Sequence, residues 1–237
     1  MRTILCILYI IIISIFSILF RIYYFIFKRS KSKKEQIAYS YKWLQRICKG
    51  LLKCSGTKLT VKGQKKIPKD TPILFIANHK SFFDIPILVN AVDIPMSFVG
   101  KIQLKKVPVV SFWMKKIGCI FMDRSDIRQS LKAINKGIQQ LKEGHSLLIF
   151  PEGTRIIEEN LGEFKKGSLK LATKSNVPII PIYIHNAHYI LETQFPWIKA
   201  VDINVNIGDP IIIDKLKDED KKRLALYVKN KIEDLRK

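Results

Sequence analysis

His79 and Asp84 stand five residues apart in Asn78-His79-Lys80-Ser81-Phe82-Phe83-Asp84. Neutral imidazole accepts a proton near pH 7, and a carboxylate on its second nitrogen fixes the tautomer and stabilises the imidazolium. Residues five apart on a regular helix diverge by about 140°. A working pair therefore places His79 on a strand-to-helix turn, ahead of the helix that carries Ile85–Val89. Asp84, two residues before Pro86, fits the start of that helix. By itself His-x4-Asp is a weak motif, because a satisfied polar turn has the same pattern. No protein nucleophile accompanies it: there is no Gly-x-Ser-x-Gly elbow, no cysteine adjoins a histidine, and Ser81 reads as a turn or cap residue. A base without its own nucleophile suits activation of a substrate hydroxyl, which points to acyl transfer onto an alcohol.

A second cluster, Glu152-Gly153-Thr154-Arg155, offers a seat for phosphate. Glycine lets the backbone approach closely, and arginine presents a planar fork of donors. Lys101 and Arg124 add positive charge. Each alone is as readily a surface ion-pair residue; together, at strand ends, they read as an anion pocket. His145, His185 and His188 have no carboxylate at metal-ligand spacing, so no metal is assigned. Cys6, Cys48, Cys54 and Cys119 form neither a Cys-x-x-Cys pair nor a disulfide framework, which favours a reducing, cytoplasmic setting.

The elements that must position these residues are short β-branched runs: 58–62, 73–77, 97–99, 119–122, 146–150, 179–184 and 203–207. Helical patterns lie between several of them. Ile127, Leu131, Ile134, Ile138 and Leu141 follow Asp126 as N-cap and stop at Gly144. A C-terminal helix from about Asp218 carries Leu224, Val228, Ile232 and Leu235. This alternation predicts an α/β fold with a mixed, largely parallel sheet flanked by helices. The polar clusters at 78–84, 100–101, 123–124 and 151–155 each follow a strand, so they predict one cleft at the strand ends.

Of the 237 residues, 47% are hydrophobic, which excludes a disordered polybasic chain. The formal net charge of +22 is uneven, because residues 1–69 hold sixteen of the 42 Lys and Arg and one acid, Glu35. The sequence from Ile4 to Phe20 carries no charge, and the apolar run resumes after Arg21 as far as Phe27. As a helix it is long enough for a bilayer core of about 30 Å. It is too long for a signal peptide and lacks a cleavage site. Lys28-Arg29-Ser30-Lys31-Ser32-Lys33-Lys34 follows, a cluster that stays cytoplasmic and attracts anionic headgroups. Next comes an amphipathic segment with Ile37, Tyr41, Leu44, Cys48 and Leu51 on one side and Lys42, Arg46, Lys49 and Lys53 on the other. It suits a membrane interface, a helix packed on the domain, or both. We expect residues 1–54 to attach to the membrane, by one span or a one-leaflet hairpin, and residues 55–237 to form the α/β domain. A nucleic-acid partner is excluded, since the basic region follows a hydrophobic helix and is itself apolar on one face.

On these residues the chain resembles the 1-acylglycerol-3-phosphate acyltransferases of the glycerolipid acyltransferase superfamily. Four blocks stand in that family's order: Asn78-His79-x4-Asp84; Gly100-Lys101-Ile102-Gln103-Leu104 with Pro108, then Gly118 and Asp123-Arg124; Phe150-Pro151-Glu152-Gly153-Thr154-Arg155 with Phe164-Lys165-Lys166-Gly167; and Val177-Pro178-Ile179-Ile180-Pro181. The resemblance spans about residues 55–210. It implies transfer of a fatty acyl group from acyl-CoA or acyl-carrier protein to the sn-2 hydroxyl of lysophosphatidate, giving phosphatidate. The thioester is a substrate, and no cofactor is implied. His79 is the implied general base and Asp84 its orienting partner. Lys101, Arg124 and the Glu152, Gly153, Thr154, Arg155 block are the implied phosphate contacts. The implied location is a membrane, with the site on its cytoplasmic face as in bacterial members. Gln103 stands where the second block commonly has Glu. Two rivals remain at this point: an acyltransferase for another acceptor (a lysophospholipid, glycerol-3-phosphate or an aminolipid), and a non-catalytic anionic-lipid-binding protein.

Overall fold

The computed structural model describes residues 1–27, 32–158 and 160–237. Its centre is a seven-stranded sheet in the order β1-β7-β6-β2-β5-β3-β4. The strands are β1 (Lys58–Lys62), β2 (Leu74–Ala77), β3 (Met96–Lys101), β4 (Ile120–Met122), β5 (Ser146–Ile149), β6 (Ile179–Ile184) and β7 (Asp202–Ile207). All neighbouring pairs are parallel except β6 with β7. The expected mixed, largely parallel sheet is present. Every residue of the central strands β2, β5 and β6 is buried, because helices cover both faces and leave no place for a polar alternation. Along β2, Phe75 and Ala77 enter one core layer and Leu74 and Ile76 the other.

The first layer is covered by α2 (Lys33–Ser55), α3 (Asp84–Ala91) and α4 (Pro108–Lys116); the second by α5 (Ile127–Lys142), α6 (Lys166–Ser175) and α8 (Leu224–Asp234), which follows the short α7 (Asp218–Lys222). Asp126 caps α5 as expected, its side chain accepting from the N–H groups of Arg128 and Gln129. The core face of α5 is rotated from the expected stripe: Ala133, Ile134, Gly137 and Leu141 are buried while Ile127 and Leu131 are exposed. Gly137 is the reason. A Cβ there would meet Leu171 of α6 at 2.5 Å, so the small face is the one that can approach. The C-terminal helix breaks at Arg223, giving α7 and α8 in place of one element.

Helix α1 (Arg2–Phe27) runs antiparallel to α2. Its inward stripe includes the polar or small residues Thr3, Cys6, Tyr9 and Ser17; Cys6 is buried, and Thr3, Tyr9 and Ser17 bond inward. Tyr9 Oη donates to the Ile47 carbonyl (3.0 Å), and Ser17 Oγ accepts from Trp113 Nε1 (2.8 Å). Phe20 closes the stripe in a cluster with Phe16, Tyr39, Trp43, Phe112 and Trp113. Eleven Ile and Leu side chains between Ile4 and Ile22 point outward and are exposed. Polar residues inside and aliphatic ones outside is the arrangement of a helix whose solvent is not water. The apolar stripe of α2 is spent on the domain core, where Tyr41, Leu44, Cys48 and Leu52 are buried, and its cations Lys42, Arg46, Lys49 and Lys53 face out. Of the basic cluster, Lys28–Lys31 lie outside the described residues. Ser32 forms a capping box with Glu35 at the start of α2.

Candidate active site

Strand β2 ends at Ala77, and the chain turns before α3 begins at Asp84. Asn78 anchors the exit: its amide donates to the Ile184 carbonyl (3.0 Å) and accepts from the Ile184 N–H (2.7 Å), joining the ends of β2 and β6. The turn brings His79 Nδ1 to 2.8 Å from Asp84 Oδ2. The same oxygen accepts the backbone N–H groups of Lys80 (2.8 Å) and Ser81 (2.9 Å). Three donors converge on one oxygen of a fully buried carboxylate, so Asp84 acts as an acceptor and His79 carries its proton on Nδ1. Nε2 is thereby the basic nitrogen. The imidazole also stacks on Phe150, with ring centroids 4.1 Å apart and planes 14° from parallel.

The 151–158 loop is laced to this turn. Glu152 Oε2 accepts the His79 N–H (3.0 Å), the Ile156 N–H donates to the His79 carbonyl (2.8 Å), and the buried Lys80 ammonium donates to the Glu158 carbonyl (2.8 Å). Glu152, one of the expected phosphate contacts, turns its carboxylate to the backbone here. Its carboxylate is buried against backbone donors, with the Gly162 N–H as a second, long contact at 3.4 Å. Burial pushes its pKa up to about 7, and the nearby Asp84 charge adds to the rise. The His79 and Gly162 N–H groups and the Lys80 ammonium oppose it.

The expected cations do not form one pocket. Arg155 lies 3.5 Å above the Phe82 ring, and its Nη1 reaches Glu192 Oε1 at 3.3 Å. Arg124 instead lines a cavity of about 130 Å³ with Phe150, Gly153, Lys165 and Ser168, where burial lowers its pKa. Gly153 separates the two groups. Its φ of +78° turns the chain sharply, and the Lys165 side chain passes where a Cβ would stand, at 3.0 Å. Thr154 is exposed. Lys101, at the end of β3, is exposed as well, and among the described residues no hydrogen bond or ion pair ties it to His79 or Arg155. Another cavity, about 420 Å³, opens between 208–212 and α8 and holds none of these residues. Among the described residues no group of three His, Cys, Asp or Glu is placed to hold a metal.

Glu192 is the residue that sequence reasoning missed. Its side chain accepts from Ser81 Oγ (2.7 Å), the Phe82 N–H (2.7 Å) and Arg155, and so binds the His79 turn to the arginine. It belongs to no motif, and its partners lie 111, 110 and 37 residues away. Phe150 was visible only as a member of the third block. Lys165, which follows the third block in sequence, joins Arg124 at the smaller cavity.

A partly exposed histidine held by a buried aspartate at the carboxyl end of a parallel strand is an arrangement able to serve as a general base. Residues 58–185 match the family model described as Acyltransferase, and the chain belongs to that family. It is 38% identical over 161 residues to a probable 1-acyl-sn-glycerol-3-phosphate acyltransferase of Mycoplasma genitalium, covering 63% of this chain and 59% of that protein. A 1-acyl-sn-glycerol-3-phosphate acyltransferase of Borreliella burgdorferi is 29% identical over 75% of this chain and 71% of its own. The crystal structure of the 1-acyl-sn-glycerophosphate (LPA) acyltransferase PlsC from Thermotoga maritima superposes with a TM-score of 0.78 at 26% identity, covering 98% of this chain and 95% of that one. The matched stretch spans less than two thirds of the two Mycoplasma relatives, 59% and 55% of their length.

Proposed function

We propose that the protein transfers a fatty acyl group from an acyl thioester, acyl-CoA or acyl-carrier protein, to the sn-2 hydroxyl of 1-acyl-sn-glycerol 3-phosphate. The observation that carries the reading is the His79–Asp84 contact, with one ring nitrogen bound and the other free. Nε2 takes the hydroxyl proton as the oxygen attacks the thioester carbonyl. The new C–O bond forms, the C–S bond breaks, and the imidazolium returns the proton to the departing thiolate. Asp84 holds the tautomer and balances the imidazolium charge. General-base catalysis of this kind is worth about 10²–10⁴-fold, with positioning supplying much of the remainder. The acceptor's phosphate is drawn by Arg155 and by the Arg124–Lys165 cavity on either side of Gly153. Relatives that carry the substrate's name support this acceptor.

The exposed aliphatic face of α1 supports a place in the bilayer, with α2 lying alongside as the second arm of a hairpin. Each half-exposed Ile or Leu on that face would cost roughly 1 kcal/mol in water. The α2 cations and the basic sequence at 28–34 support a site on the cytoplasmic face by the positive-inside rule. The test is transfer of labelled acyl groups to lysophosphatidate by the purified chain in lipid–detergent micelles. Phosphatidate should form, and His79→Ala should abolish it with the fold intact. Absence of product from the wild type, or substantial turnover by His79→Ala, would refute the reading.

A further inference from the structure

The segment from Leu191 to Ala200 runs between the His79 site and the N-terminal end of α1. At one end Glu192 binds Arg155 and the Ser81–Phe82 turn. At the other, the Ile198 N–H donates to Thr3 Oγ1 (2.9 Å), and Arg2 donates to the Ser55 carbonyl (3.4 Å). The start of α1, the end of α2 and this segment therefore meet. Between these fixed points the chain makes a closed turn, with the Trp197 N–H on the Gln194 carbonyl (2.8 Å) and the Lys199 N–H on the Ile190 carbonyl (3.0 Å). Leu191 and Ile198 pack on the core, whereas Phe195 is 75% and Trp197 64% exposed.

Two large aromatic rings held outward by a bonded turn are expensive in water, since each removes about 150–250 Å² from solvent when covered. Their neighbours indicate the cover. Lys199 is exposed beside them, and the Thr3–Ile198 bond joins the turn to the aliphatic face that begins at Ile4, Leu5, Ile7 and Leu8. Tryptophan with lysine next to an aliphatic helix face is the composition of the headgroup–acyl boundary.

We propose that the Phe195–Trp197 turn is a second membrane contact, an aromatic wedge seated in the anionic interface beside the start of α1, which holds the mouth of the His79–Arg155 site against the lipid surface. The proposal rests on the reading that α1 lies in the bilayer. It makes the turn a device of access: the wedge sets the height of the site, so an acceptor lipid reaches Nε2 without leaving the interface.

The test uses the full chain in phosphatidylcholine–phosphatidylglycerol vesicles, with and without lipids brominated near the glycerol end of the acyl chains. The Trp197 signal is isolated by subtracting a Trp197→Phe variant. About half of that signal should be quenched by the brominated lipid. A Phe195→Ser/Trp197→Ser variant should lose about tenfold in kcat/KM for a bilayer-embedded acceptor and keep its rate on a short-chain, water-soluble acceptor, as expected from losing ~1.4 kcal/mol of interfacial seating. An unquenched Trp197 that stays open to acrylamide in vesicles overturns the proposal. So does equal loss on both acceptors, or a detergent-resistant dimer that depends on Trp197. Flotation of the wild type with the vesicles reports on α1 separately, so floating protein with an unquenched Trp197 overturns the wedge alone.

Discussion

Replacing Asp84 with Asn separates its charge from its geometry. All three donors converge on Oδ2, and among the described residues the buried Oδ1 has no partner. An Asn side chain can therefore keep a carbonyl oxygen at the Oδ2 position, still accepting from His79 Nδ1 and from the Lys80 and Ser81 N–H groups, with its NH₂ in the place of Oδ1. What disappears is the negative charge 2.8 Å from the imidazole. At an effective permittivity near 20, a full imidazolium–carboxylate pair at that distance is worth ~6 kcal/mol. If half the positive charge has developed at the transition state, ~3 kcal/mol is lost, on the order of 10²-fold in kcat. Asp84→Ala differs, because it also strands two buried N–H groups at about 1–3 kcal/mol each. The assay is kcat with saturating lysophosphatidate, alongside thermal melts of both variants. Asp84→Asn, whose NH₂ at the Oδ1 position finds no acceptor, should melt below the wild type but above Asp84→Ala and turn over slowly, and Asp84→Ala should fail in both. Wild-type kcat in Asp84→Asn, or a melt as low as that of Asp84→Ala, would refute the reasoning.

Glu152→Gln should remove a pH dependence of stability. The folded pKa of about 7 lies above the ordinary 4.5, so the folded state holds the proton more tightly; stability is greatest below about pH 4.5 and falls as pH rises through 7, by about 3 kcal/mol in all. Melts from pH 5 to 8 should slope downward for the wild type and be nearly flat for the variant. Glu192→Ala takes the acceptor from Ser81, Phe82 and Arg155, which should cost about 3 kcal/mol and raise the acceptor KM roughly tenfold; a melt and a KM series check this. Deleting residues 1–27 should give an aggregating chain, not a soluble enzyme, because it bares Trp113, Phe112 and the α2 face that Phe16 and Phe20 cover. Size-exclusion chromatography without detergent decides that point.

The central strands β2, β5 and β6 were legible because burial on both faces forces continuous apolar runs, and β1 and β7 because one face is covered and their residues alternate. The His79–Asp84 pair was legible because only a strand-to-helix turn reconciles that spacing with contact. The start of α5 was legible from Asp126, but its core face was not. A periodicity argument follows the large residues Ile127 and Leu131, whereas packing against α6 selected the small one, Gly137. The division of the cations around Gly153 depends on one backbone angle, which residue type permits but does not dictate. Glu192 lay beyond reach for another reason: its partners are distant in sequence, and one acid in an irregular segment carries no local pattern. In α1 the hydropathy revealed the helix, while the direction of its lipid face emerged only from Thr3, Tyr9 and Ser17 bonding inward.

Phe20, Tyr41 and Cys48 belong to the same core layer as the strands beneath His79. Helices α1 and α2 and the α/β body are therefore packed as one piece, not as a float on a tether. With α1 in the bilayer as proposed, such a molecule would search in two dimensions, and its turnover should track the mole fraction of acceptor in the bilayer instead of the bulk concentration. Diluting the substrate with inert lipid at constant total amount should slow it accordingly.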